Sequence, residues 1–190
     1  MKNILICNQK GGVGKSLIAD ELAFSFERSQ IPLSFFDLDR QGGTIHQTAQ
    51  RVQAQAAVID TPGALQRQLG EWISHADVIV IPTRTTSRDI EPLMRMQRAV
   101  DAGARPGVPV VCVLNGWNRW RASADFLEWL KGPGGVRFGH LAKLPQSEQF
   151  VQASAAGKSV AEYARHSSAA KAVLELCGLI RRLAGFPAEK

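Results

Sequence analysis

Lys10-Gly11-Gly12-Val13-Gly14-Lys15-Ser16 follows an apolar run, Asn3 to Cys7, and precedes a helical pattern, Ser16 to Arg28. Strand, glycine-rich loop and helix in that order decide the fold. Glycines let successive backbone N–H groups turn toward one anion, where side chains would clash. The following helix adds the positive end of its dipole. The spacing is that of GxxxxGK[ST] with one change: no glycine stands at Asn8 to Gln9, and Lys10 with two glycines fills the loop. In such a loop Lys15 reaches β- and γ-phosphate oxygens, and Ser16 supplies a hydroxyl for Mg²⁺. The expected nucleotide cradle is Gly11, Gly12, Val13, Gly14, Lys15 and Ser16.

Outward from this loop, short apolar runs recur at Leu33 to Phe36, Ala57 to Ile59, Val78 to Ile81 and Val108 to Leu114, with a last short strand near Phe138 to Leu144. Their apolarity is continuous, as in parallel strands covered on both faces. Helical stripes separate them. Ile18, Ala19, Leu22, Ala23 and Phe26 share one face, as do Ile90, Leu93, Met96 and Val100, and Val173, Leu176, Ile180 and Leu183. The pattern predicts an α/β fold, a doubly wound and mainly parallel sheet of about six to seven strands flanked by helices, in one domain over residues 1–190.

Composition fits that expectation. The chain has 190 residues, 45% hydrophobic and 21% charged, which excludes a disordered or fibrous chain. Lys and Arg number 23 against 17 Asp and Glu, a net +6 that permits contact with nucleic acid or an anionic surface. Cys7, Cys112 and Cys177 are far apart and sit in apolar runs, so buried free thiols are expected rather than a zinc or iron–sulfur centre. No apolar run approaches the ~20 residues that span a bilayer, and the first residues lack a signal-peptide pattern. The expected location is the cytoplasm.

Carboxylates mark the strand ends. Asp37 and Asp39 stand at i and i+2 where the second strand finishes, the edge at which ligands bind in parallel sheets. The alternative is a polar strand end facing solvent. Val58-Ile59-Asp60-Thr61-Pro62-Gly63 resembles a Walker B strand, with Asp60 emerging to hold Mg²⁺ through water.

KGGVGKS resembles the deviant Walker A motif of the ParA/MinD family of ATPases, usually with Thr where this chain has Ser16. The resemblance implies that Lys10 is the signature lysine, which crosses the interface of an ATP-sandwich dimer to the partner's nucleotide. DLDRQGG resembles the family's DxDPQG. By that likeness Asp39 positions or activates the attacking water and Asp37 supports the Mg²⁺ network, with Arg40 in place of the usual Pro. Thr61-Pro62-Gly63 would sense the γ-phosphate. Ile81-Pro82-Thr83 is similar to the family's I-P-T segment. Val113-Leu114-Asn115 implies Asn115 on the adenine, the alternative being a turn residue before Gly116. Leu144-Pro145-Gln146-Ser147, with the stretch to Val160, implies Pro145 on the base. The implied catalytic set is Lys10, Lys15 and Asp39, the metal set Ser16, Asp37 and Asp60, and the cofactors ATP and Mg²⁺.

One departure is large. Only residues 44–57 separate Gly43 from the third strand, where ParA relatives carry several dozen; a helix over His46 to Gln55 would fit there. No operator-binding helix-turn-helix is expected ahead of the phosphate loop's strand, and with it no sequence-specific autorepression.

The family's partners are a second copy in the ATP state, DNA without sequence preference, and a ParB-like or adaptor protein that stimulates slow hydrolysis. Candidate phosphate contacts are Lys158, Arg165, Lys171, Arg181, Arg182 and the run Asn118-Arg119-Trp120-Arg121, each otherwise a solvated charge. Trp117 and Trp120 could stack on nucleotides or pack in the core. The cargo would be a plasmid, chromosome region, conjugative element or protein cluster. Leu179 to Phe186 supports a rival, MinD-like reading with a membrane-binding C-terminal segment; the unbroken stripe from Val173 favours a core helix instead, so no membrane partner is expected. A dethiobiotin-synthetase-like ligase would need a substrate pocket, for which the sequence shows no extra catalytic constellation, and the cysteine positions oppose a nitrogenase-iron-protein-like reductase.

Overall fold

The computed structural model describes residues 1–39, 42–63 and 68–187. Six strands, β1 (Lys2–Ile6), β2 (Leu33–Asp37), β3 (Ala56–Asp60), β4 (Val78–Thr83), β5 (Val110–Trp117) and β6 (His140–Pro145), form one sheet in the order β2-β3-β1-β4-β5-β6. Every paired neighbour is parallel. The expected doubly wound sheet is therefore present, at the lower end of the expected strand count.

The apolar runs are continuous because both faces are covered. Side chains alternate along a strand, so Ile4 and Ile6 enter one core and Leu5 and Cys7 the other. The first core is closed by α1 (Lys15–Arg28), α5 (Gln149–Ala155), α6 (Val160–Tyr163) and α7 (Ser168–Leu183). The second is closed by α2 (Leu69–His75), α3 (Ile90–Gly103) and α4 (Arg121–Lys131). All three cysteines are buried, as expected, and burial pushes Cys7 and Cys112 up to about 12.

Three expectations need correction. The expected helix over His46 to Gln55 does not form. That stretch runs back along β2 instead, with Phe35 and Ala49 forming an antiparallel bridge. It carries no apolar stripe at helical spacing, and Val52 lies fully in solvent. The fifth strand starts at Val110 rather than Val108, because Pro109 precedes it and offers only its carbonyl, to Ile79 N–H (3.0 Å). Arg181 is not a surface cation. It is 1% exposed, and its Nη1 donates to Ser25 O on α1 (3.2 Å) and to Ser29 Oγ just after the end of α1 (2.6 Å).

The end of α7 belongs to the core. Ile180 is buried, Leu179 and Leu183 pack against the first cluster, and Phe186 meets Phe26 edge-on at 5.2 Å. Among the described residues no helix is long and apolar enough to cross a membrane.

Candidate functional site

The loop from β1 to α1 takes a conformation that its glycines permit. Gly12 and Gly14 have φ of 70° and 98°, in the left-handed region that side chains disfavour. Gly14 also sits too close for a side chain: a Cβ there would lie 2.0 Å from Asn115 Nδ2. Asn8, 2% exposed, ties the loop to the sheet by donating to Pro82 O (2.7 Å) and accepting from Lys10 N (3.0 Å). Gly63, after β3, closes on the loop from the other side; a Cβ there would come within 3.0 Å of Gly11 Cα.

Lys15 is buried at the start of α1, and its Nζ donates to Lys10 O at 3.4 Å. Burial lowers its pKa, while Asp60, Asp39 and Cys7 pull it back up. The register that sets Asp37 opposite Asp60 brings the two strand-end carboxylates together. Asp37 is already engaged: Oδ1 accepts Asp39 N (2.9 Å) and Oδ2 accepts Thr44 Oγ1 (2.7 Å). Asp60 is different. It is fully buried, and neither oxygen accepts a well-formed hydrogen bond among the described residues. Two orphaned buried carboxylate oxygens beside the Ser16 hydroxyl fit a hard divalent cation such as Mg²⁺.

Burial, the largest influence, pushes Asp60 up to about 6; Ser16 and Lys15 lower it, and Asp37 and Asp39 raise it. An acid with a raised folded pKa stabilises the fold in its protonated form, and that contribution is lost as pH rises through the folded value. Binding of a cation at Asp60 would have the opposite sign, because it would need the carboxylate. Mg²⁺-dependent nucleotide affinity is therefore expected to fall as pH drops through about 6, while the metal-free melting temperature does not fall over the same interval. Calorimetric titration and thermal melts across that range check both signs.

Lys10 is turned away from the loop interior. Its Nζ forms an ion pair with Asp89 Oδ1 at 2.5 Å and donates to Arg88 O at 3.3 Å. Asp89 is 1% exposed at the end of a 3₁₀ turn, Ser87–Asp89, and its other oxygen accepts Thr86 Oγ1 (2.5 Å).

Asn115, expected on the base, braces the phosphate loop by donating to Val13 O (2.8 Å). Pro145 lies on the neighbouring strand, opposite Trp117. Trp117 packs on the second core under Lys143, whose Nζ is 3.7 Å from the ring centre. Trp120 is 68% exposed between exposed Arg119 and Arg121. Lys158, Arg165, Lys171 and Arg182 are exposed, unlike Arg181. Arg40 lies outside the described residues.

A cleft of about 1150 Å³ runs from the phosphate loop past Asp39 to Gln68, Glu71 and Trp72 on and beside α2. Sequence reading missed this wall, because seven helical residues are too few to show a period. It also missed Arg84, whose Nε donates to Gly12 O (3.3 Å) and whose Nη1 occupies the space a Cβ on Gly116 would need.

This geometry is that of a phosphate-binding strand–loop–helix with strand-end carboxylates. Residues 4–160 match the family model described as the CobQ/CobB/MinD/ParA nucleotide binding domain, and the chain belongs to that family. No curated protein matches the chain. Among solved structures it is similar to an ATP complex of Cyanothece McdA, with a TM-score of 0.74, 15% identity, and 98% of this chain and 97% of that one covered. It is similar to Pyrococcus horikoshii MinD, the septum site-determining protein, complexed with Mg-ADP, with a TM-score of 0.72, 15% identity and 97% of each chain covered. It is also similar to cobyrinic acid a,c-diamide synthase from Mycobacterium smegmatis with an ATP analogue and magnesium bound, with a TM-score of 0.72, 15% identity, and 99% and 98% covered. Likenesses at this identity define the fold and leave the chemistry to the site.

Proposed function

We propose that this chain is a ParA-like ATPase that binds and hydrolyses ATP with Mg²⁺, pairs with a second copy in the ATP state, and then binds DNA without sequence preference to position a cargo. The observation that carries the reading is Lys10. It stands at the mouth of the phosphate loop, 32% exposed in its side chain, with its ammonium on Asp89 rather than inside its own cradle. A second lysine that the chain's own phosphates do not need is suited to reaching another copy's nucleotide.

In this reading the backbone N–H groups of Gly11 to Gly14 and the start of α1 hold the phosphates. Lys15 lies against the β- and γ-phosphates, and Asn115 and Arg84 keep the loop in shape through Val13 O and Gly12 O. Ser16 and Asp60 are the metal ligands, with Asp37 behind them. When bound, Mg²⁺ supplies charge neutralisation on the phosphate oxygens. Asp39 orients the attacking water by accepting its hydrogen bond. Lys10 leaves Asp89 and enters the opposite copy's site. Hydrolysis is then positioning and electrostatics, with no covalent enzyme intermediate.

Exposed Lys158, Arg165, Lys171, Arg182, Arg119 and Arg121 support DNA contact through phosphates. The adaptor protein that stimulates hydrolysis is part of this proposal. The packing of Leu179, Ile180, Leu183 and Phe186 into the core argues against a membrane-binding C-terminal segment.

The test is solution mass by light scattering with ATP·Mg²⁺, ADP·Mg²⁺ and no nucleotide, alongside phosphate release. Doubling of mass with ATP alone, together with slow Mg²⁺-dependent release, supports the reading. A monomer under all three conditions overturns it.

A further inference from the structure

Residues 44–51 lie as a strap along the outer edge of β2. Phe35 and Ala49 exchange both backbone hydrogen bonds (2.9 Å each), Asp37 N donates to Thr48 Oγ1 (3.0 Å), and Arg51 N donates to Ser34 Oγ (3.0 Å). The strap begins at the phosphate site. Gly43 sits against Ser16, where a Cβ would be 3.4 Å from its hydroxyl, and Thr44 Oγ1 donates to Asp37 Oδ2 (2.7 Å).

Asp20 fastens the strap to α1. Its carboxylate is 5% exposed and accepts Ile45 N (2.8 Å), His46 N (3.0 Å) and His46 Nδ1 (2.7 Å). A carboxylate on the buried side of a helix is costly unless its oxygens are satisfied, and here the strap satisfies them. The His46 ring stands edge-on to Phe24 at 4.4 Å and lies 5.3 Å from Phe35, which fixes its plane.

We propose that Asp20 and His46 are a positioning pair for hydrolysis: they clamp the strap so that Thr44 holds Asp37, and through it Asp39, at the metal and water site. The proposal rests on the ATPase reading above. The hydrogen bonds form one line, from Asp20 to the Ile45 and His46 amides, from Thr44 to Asp37 Oδ2, and from Asp37 Oδ1 to Asp39 N. His46 touches none of the proposed metal ligands and acts only through this line.

The charged groups around His46 favour its cationic form. Asp20 and Glu27, the latter 3.5 Å from Nε2, face it from α1. Phe35 faces it from β2, and Arg51 of the strap lines the same 350 Å³ cavity. Glu21 and, between α5 and α6, Lys158 line the cavity on the far side of Asp20. Burial pushes the imidazole pKa down, but the Asp20 hydrogen bond and the Asp20 and Glu27 charges outweigh it and raise it above 6.5. The clamp's charge contribution is therefore full below the unfolded value and is lost as pH rises through the raised one.

Steady-state hydrolysis by His46→Ala, His46→Asn and Thr44→Val tests the pair. The Asn amide nitrogen can stand in for Nδ1. His46→Ala is expected to lower kcat about tenfold with KM for ATP within about twofold of wild type, as removal of outer support does at metal sites. His46→Asn restores most of kcat, and the wild-type advantage over it shrinks as pH rises. Thr44→Val reproduces the kcat loss and decides the matter should His46→Ala not fold. Wild-type kcat in His46→Ala or in Thr44→Val, or a His46→Asn no better than His46→Ala, overturns the proposal. A wild-type chain that hydrolyses no ATP sinks the ATPase reading instead. Hydrogen exchange then reads the clamp alone: the Ile45, Ala49 and Asp39 amides lose about tenfold protection in His46→Ala if it holds, and unchanged protection overturns it.

Discussion

Lys15→Ala is expected to abolish hydrolysis, lowering kcat/KM by about 10³-fold or more, with nucleotide affinity lost in parallel. The ammonium is buried, so in the proposed function its charge would act on phosphate oxygens with little screening by water. Among the described residues, the neighbouring cations are engaged elsewhere: Lys10 by Asp89 and Arg84 by Gly12 O. The substitution also removes the cation that lowers the pKa of Asp60, leaving the Ser16 hydroxyl alone to offset burial, Asp37 and Asp39. The Asp60 pKa then climbs further. A buried acid of that kind destabilises the fold as pH rises, so the variant's melting temperature should fall at about pH 8 and recover at about pH 5. Phosphate release, equilibrium binding and melts at the two pH values check the three parts separately.

Lys10→Ala should have the second-largest effect, on pairing rather than binding. Losing one partner of a buried, hydrogen-bonded charge pair across an interface costs about 2–5 kcal/mol, so the ATP dimer should weaken by ~30-fold or more. Nucleotide affinity of the single chain should stay within about threefold, because the Lys10 side chain contributes no donor to its own phosphate loop. The fold gives a second reading of the same substitution. Asp89 loses its ion pair but keeps Thr86 N and Oγ1, so the 3₁₀ turn should persist. A variant that forms a full-strength dimer with ATP would refute the role assigned to Lys10.

The parts of the site legible in sequence are those whose chemistry is local. Gly12 and Gly14 announce a loop of unusual φ, and Lys15 and Ser16 follow at fixed offsets. Asp37 and Asp60 end apolar strands, and parallel pairing sets them opposite each other. The parts that stayed hidden depend on pairings between distant residues. Lys10 finds Asp89 across 79 positions, Arg84 finds Gly12 across 72, and His46 finds Asp20 across 26. None of these has a periodic or spacing signal of its own. Arg181 misled for the opposite reason. It adjoins exposed Arg182, but its position on α7 faces Ser25 of α1 and Ser29 at that helix's end, which receive the guanidinium. The short connection after Gly43 was legible as a shortening, whereas its conformation was not. Helical length and an extended return both fit the residue count, and hydrogen bonding to β2 and Asp20 decides between them.

In the proposed function ATP, through pairing, licenses non-specific DNA contact. Its most direct test uses Asp39→Ala, which is expected to bind ATP without turning it over. Anisotropy of labelled random-sequence DNA would be followed with ATP·Mg²⁺, with ADP·Mg²⁺ and without nucleotide. Tight binding is expected with ATP alone, weakening about tenfold or more between roughly 50 and 200 mM salt as phosphate contacts are screened. Equal anisotropy under all three nucleotide conditions at both salt concentrations would contradict it.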